Sequence, residues 1–151
     1  MAELTIRAEI KTILSDVTNI GNVYDYAREI RSESKYTDLV KTVISGVSIS
    51  RVWFIYMESQ TTEQVVLGIG NQREKTYKYK LEGWLGLTDS SETQASTLIT
   101  AIESAFAAKP DLNSTCFYHD FIQVDSIDIE AFGNRVCNHI VLTLTVKERS
   151  T

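Results

Sequence analysis

Apolar and polar positions alternate most regularly between Lys75 and Leu87. The odd positions read Lys75, Tyr77, Tyr79, Leu81, Gly83, Leu85 and Leu87, and the even ones begin Thr76, Lys78, Lys80 and Glu82 before Trp84 and Gly86. A period of two predicts a strand with one buried and one solvated face. Asp89-Ser90-Ser91-Glu92 follows with the form of a capping box and predicts a helix start. Within that helix Ala95, Leu98, Ile99, Ile102 and Phe106 recur at steps of three and four, turning one stripe to a core and Gln94, Thr97 and Glu103 to water. Pro110 stops it.

The same reasoning extends to both sides. Ile6, Ile10, Ile13, Leu14 and Val17 form the stripe of a first helix, capped by Thr5 and ending near Asn19 with Gly21 as terminator. Val23 to Tyr26 reads as a short strand and Ala27 to Glu33 as a charged loop. From Ser34, the positions Tyr36, Leu39, Val40, Val43 and Ile44 suggest a second, shorter helix closed by Ser45-Gly46. Ile49 to Met57 is a strand with apolar residues on both faces after Arg51, as where a sheet is covered on both sides or where a partner covers the second face. Glu58 to Gln72 is a long connection with an apolar centre, Val65-Val66-Leu67. Beyond the central helix, Thr115 to Tyr118 is a short strand. Phe121 to Phe132 is a longer one in which Ile122 and Val124 share one parity and Ile127, Ile129 and Ala131 the other, predicting a bulge near Asp125-Ser126. Gly133-Asn134 turns the chain into a last strand, Arg135 to Lys147, with Val136, Ile140, Leu142, Leu144 and Val146 on one face. This order predicts one α+β domain over 1–151: a mostly antiparallel sheet flanked by two to three helices, with a long loop or hairpin insertion at about 58–72.

Composition narrows the function classes. At 151 residues and 43% hydrophobic content, the chain is sized for one domain with a real core. A net charge of −5 argues against a general nucleic-acid coat, which needs clustered Lys and Arg. No apolar run reaches the roughly 18–20 residues that cross a bilayer, and Met1-Ala2-Glu3 opens a polar helix, so a soluble, cytosolic protein with no membrane partner is expected. Cys116 and Cys137 are too few for a disulfide framework and are expected to be free thiols.

Candidate chemistry is sparse. Cys116-x-x-His119 with Cys137-x-His139 satisfies the ligand count of a structural zinc site, but residues three apart in extended chain point to opposite faces, so ordinary buried thiols and imidazoles are the expectation. His119-Asp120 lacks a nucleophile elbow or a cysteine signature. Gly68-x-Gly70 has Arg73 where a third glycine would fall, and no Lys-Ser or Lys-Thr follows, so it reads as a flexible loop. No cofactor, metal or catalytic residue is assigned, and no enzyme is expected. Asp120, Asp125, Asp128 and Glu130 form an acidic run that either solvates a sheet edge or offers a surface along which a polyanion slides.

Five stretches in order carry a resemblance: the first helix leading into Ile20-Gly21-Asn22-Val23-Tyr24-Asp25-Tyr26-Ala27-Arg28; Ile49-Ser50-Arg51-Val52-Trp53; Tyr77 to Leu87; Asp89-Ser90-Ser91-Glu92 with the helix ending in Ala105-Phe106; and Gly133-Asn134-Arg135-Val136-Cys137-Asn138-His139. In these the chain resembles the tail terminator (tail completion) family among the head-to-tail joining proteins of long-tailed bacteriophages. The resemblance implies a virion protein assembled in the host cytoplasm. It would form a ring, usually a hexamer, that caps the tail tube, halts its polymerisation and meets the head connector, with DNA passing through unbound. Under this reading one subunit patch is placed on Arg51, Trp53 and Ile55, with a core indole under a helix as the equal alternative for Trp53, tube contact on Val65, Val66 and Leu67, and a channel-facing acidic surface on Asp125, Asp128 and Glu130. The alternatives are a neck, head-closure or tail-tube protein of the same assembly, and, from another class, a small zinc- or thiol-dependent enzyme.

Overall fold

The central pair of strands meets at Gly83, where the backbone has no room for a side chain. The computed structural model describes residues 2–26, 41–44, 46–64, 73–132 and 135–150. In it β3 (Val47–Gln64) and β4 (Arg73–Gly86) pair antiparallel, with Trp53 directly opposite Gly83. A Cβ built on Gly83 would lie 2.7 Å from the Trp53 ring, so the bare backbone is what lets the indole lie flat on the neighbouring strand. On its other side β4 pairs antiparallel along its whole length with β7 (Arg135–Ser150). β1 (Asn22–Tyr24) runs parallel to β3, and β2 (Lys41–Ile44) antiparallel to its start. β5 (Tyr118–His119) and β6 (Gln123–Phe132) both pair with the far edge of β7. The result is an α+β domain with a seven-stranded sheet, antiparallel except for β1.

Helices α1 (Ala2–Ser15) and α2 (Ser91–Ala107) cover one face. The predicted stripes are buried: Ile6, Ile10, Ile13 and Leu14 from α1, and Leu98, Ile102 and Phe106 from α2 meet Tyr77, Tyr79, Leu81, Ile140, Leu142 and Leu144 from the sheet. Burying roughly 2 kcal/mol worth of apolar surface per large side chain makes this layer the main source of stability. α1 leaves through Asn19 (φ 64°) and Gly21 (φ 93°), where a Cβ would lie 2.5 Å from that of Arg51. The glycine serves the positive φ and the close approach together.

Several expectations are corrected. Val43 and Ile44 belong to β2, not to a helix. Ile44 pairs with Val47 across a hairpin in which Gly46 takes φ 79°, so the predicted helix stop is a strand turn; residues 34–40 lie outside the described ones. Of the 58–72 insertion the hairpin alternative holds for Glu58–Gln64, where β3 runs on past a bulge between Met57 and Ser59 and pairs with β4 from Arg73; residues 65–72 lie outside the described ones. The capping box does not form. α2 begins at Ser91, its N-cap Ser90 makes no side-chain cap bond, and Ser91 Oγ donates to the Thr88 carbonyl (2.8 Å) while accepting from Thr88 N–H (3.1 Å). Thr115 to Phe117 are not a strand. They follow a left-handed turn in which Leu112, Asn113 and Ser114 take φ of 48°, 55° and 67°, and only Tyr118–His119 pairs with β7. The bulge in β6 is where the change of parity puts it, between Val124 and Ser126. Gly133-Asn134 lies outside the described residues.

Candidate functional site

Along the end of the sheet where β3 begins and β4 ends, two adjoining grooves of about 620 and 390 Å³ share Ile49, Arg51 and Gln94 as lining. Arg51 is 6% exposed. Its Nη1 donates to the Asn19 carbonyl at 2.7 Å and its Nη2 to Gln94 Oε1, which ties α1's exit to α2. None of the ion pairs among the described residues involves it. Burial holds its guanidinium below the ordinary arginine value. Leu87, Ser90, Arg135 and Val136 complete the larger groove. Beside it Asn138 Nδ2 donates to Ser91 Oγ, fastening the start of α2 to β7 inside the protein.

The second face of the sheet carries its own cluster. Val52 and Phe54 are buried there against Tyr24, Trp84 and Phe132. Phe132 on β6 lies 5.9 Å from Phe54 on β3, although three strand spacings separate them, about 14 Å in a flat sheet. The sheet therefore curls, with this face inside. Trp84 stacks on His139 (3.8 Å, 15°) and on Phe132 (4.7 Å). His139 Nε2 lies 2.7 Å from Glu82 Oε1, and its Nδ1 lies 3.2 Å from Glu130 Oε2, close enough for an ion pair but off the hydrogen-bonding direction. Further along, Lys80 Nζ reaches Asp125 Oδ2 (2.6 Å) and Thr143 Oγ1 (2.8 Å), with Glu58 at 3.4 Å. Hydrogen bonding to Asp125 leads the causes that raise the Lys80 pKa, against the effect of burial. For Asp125 burial alone acts upward, and the bonds from Lys80 and Thr143 together with the Lys80 charge leave the carboxyl below its ordinary value.

The residues singled out in the sequence are separated by these placements. Trp53 and Ile55 are both 0% exposed in the core, so neither offers a surface to a partner; the patch placed on them is withdrawn, and only Arg51 of that trio borders a groove. Val65, Val66 and Leu67 lie outside the described residues. Asp125 is engaged with Lys80 across β7, whereas Asp128 and Glu130 are exposed on β6. The Cys and His pairs do not meet. His119 sits opposite Val146, seven residues along β7 from His139, about 23 Å. Both His119 ring nitrogens already face carbonyls, of Asp120 on one side and of Phe106 and Lys109 on the other, so the ring caps the end of α2. Burial, followed by the charges of Asp111 and Glu148, pushes the Cys116 thiol up to about 11. Cys137 is buried. Among the described residues no group of three or more His, Cys, Asp or Glu is arranged to hold a metal.

Two networks were missed in the sequence. Trp84, an aromatic at an even position of an otherwise polar face, was the available signal for the second-face cluster. Nothing local announces Ser91–Asn138, whose partners lie 47 positions apart. Among the described residues no helix is long and apolar enough to cross a membrane. No protein-family model matches the chain, and no curated protein matches it in sequence.

Proposed function

We propose that this chain is a structural subunit of a bacteriophage tail, forming a ring that caps the tail tube, stops its growth and joins it to the head connector. The observation that carries this reading is the apolar surface left at both ends of β7. Phe117, Tyr118 and Phe121, exposed by 51%, 37% and 89%, cluster where Tyr118 pairs with Lys147; Leu87 and Val136, exposed by 48% and 52%, lie at the start of the strand. Eleven residues of strand, about 36 Å, separate the two ends. A protein that must hold one partner at each end needs two such unlike patches, and a ring needs unlike patches between neighbours. The β3–β4 ribbon, exposed from Glu58 to Gln64, serves as the tube-facing element, and the net charge of −5 keeps passing DNA from being held.

Light scattering on the purified protein at several concentrations, with and without a chelator, tests this. A concentration-independent hexameric mass, indifferent to the chelator, is expected. Mass that climbs without limit would identify a tube subunit instead, and a monomer at every concentration overturns the ring.

A further inference from the structure

β6 is an unusual edge. Among the described residues no strand pairs with its outer side, although ten residues of it are extended. Its helix-side row is Val124, Ile127 and Ile129, opposite Leu142, Ile140 and Asn138 of β7, and it remains 40%, 48% and 64% exposed because α2 packs over β4 and β7. The bulge after Val124 keeps Val124 and Ile127 on this same side. The other face carries Asp128, and Glu130 beside His139, with Asp120 just before the strand; no Lys or Arg occurs from Asp120 to Phe132. Sheet edges that must stay single are blunted by charge, bulges, proline or extreme shortness; this one has a bulge near its start and acids on one face, but past the bulge it runs seven residues from Ser126 to Phe132 without lysine or proline.

We propose that the outer edge of β6 is a docking site for an extended strand of a partner protein, one with aliphatic side chains on one face and lysine or arginine on the other. Main-chain hydrogen bonds to the edge from Val124 to Ala131, which no strand among the described residues pairs, supply the affinity and the alternating side chains the selectivity. A second copy paired edge to edge is disfavoured, since acids would then oppose acids on one face. The acids therefore act against self-pairing and for a basic strand at once. Asp128 and Glu130 are thereby assigned to a protein contact instead of a channel wall. The inference rests on the assembly reading only for why such a partner is at hand, and the ring mass and the edge are measured separately.

The probe is a short capped peptide alternating lysine and valine, carrying a fluorophore. Anisotropy reads its binding to the full chain, and amide hydrogen exchange reads where it sits. The expected result is saturable binding with new protection confined to Gln123–Phe132, weakened about tenfold by Asp128→Lys or by Ile129→Lys while the unfolding midpoint of each variant holds. A glutamate–valine peptide should bind at least tenfold more weakly. Equal binding of the two peptides, protection elsewhere, outward-facing β6 amides (those not bonded to β7) already protected in the chain alone, or no binding would each overturn the proposal.

Discussion

Gly83→Ala is expected to destabilise the protein through one contact. The added methyl group would lie 2.7 Å from Trp53 Cη2 and Cζ2 and 2.8 Å from Cε2, well inside any real carbon–carbon approach. Trp53 is fully buried between α1, α2 and the sheet, so it cannot swing to solvent, and the strands must part or the indole leave its rotamer. Overpacking of this kind costs ~1–3 kcal/mol. The gain from replacing a strand glycine by alanine is roughly 0.5–1 kcal/mol, which leaves a net loss of about 1–2 kcal/mol. With a urea slope of ~1–3 kcal/mol/M, the midpoint should fall by roughly 0.5–1 M. Trp53→Phe in the same background makes room, and it also removes an indole N–H that is buried without an acceptor. The double variant should therefore be more stable than the sum of the two single effects, by at least ~0.5 kcal/mol of coupling. An unchanged or higher midpoint for Gly83→Ala would refute the claim that the glycine is required by the indole.

Asp125→Asn should cost about 1–2 kcal/mol at neutral pH. Because the folded Asp125 pKa is lowered, its contribution is present above the ordinary carboxylate value near 4 and is lost as pH falls through the folded value, so urea midpoints of variant and parent should converge below pH ~4. Lys80, whose pKa is raised, contributes below its ordinary value and loses that contribution as pH rises through the folded one; a Lys80→Met variant should converge with the parent only in strong alkali. In a Cys137→Ala background, Cys116 should react with a disulfide reagent at neutral pH at least roughly tenfold more slowly than an ordinary thiol, with the rate climbing toward pH 11. Ser114→Gly should raise stability by up to about 1 kcal/mol by relieving a left-handed serine, measured as a rise in melting temperature.

Where one face of an element is buried, its pattern is written in the chain. β4 alternates because Tyr77, Tyr79, Leu81 and Leu85 enter the core while Lys78 and Lys80 do not, and the change of parity in β6 marks a bulge that the register confirms. Where an element leaves the core, the pattern lapses. Ser59 to Gln64 are exposed at every position, so nothing distinguishes ribbon from loop, and pairing with Arg73–Lys78 decides it. Ser45-Gly46 suits a helix stop as well as a hairpin, and only the pairing of Val43 with Ser48 chooses. A strand apolar on both sides leaves Trp53 equally a core indole and a partner-facing one. One of those sides turned out to be the core and the other the inside of the curl.

The central position of β4 also orders events in time. Its pairing with β3 closes over as few as nine residues, from Gln64 to Arg73, whereas its pairing with β7 spans from 51 residues at Gly86–Cys137 to 77 at Arg73–Ser150. Loop closure of the second kind is slow, and the ribbon can zip long before it. Until β7 arrives, one side of β4 is bare and β5 and β6 have no strand to join. The last strand is the keystone of the sheet, and a nascent or truncated chain without it displays the full unpaired length of β4, the state in which chaperone capture and aggregation compete.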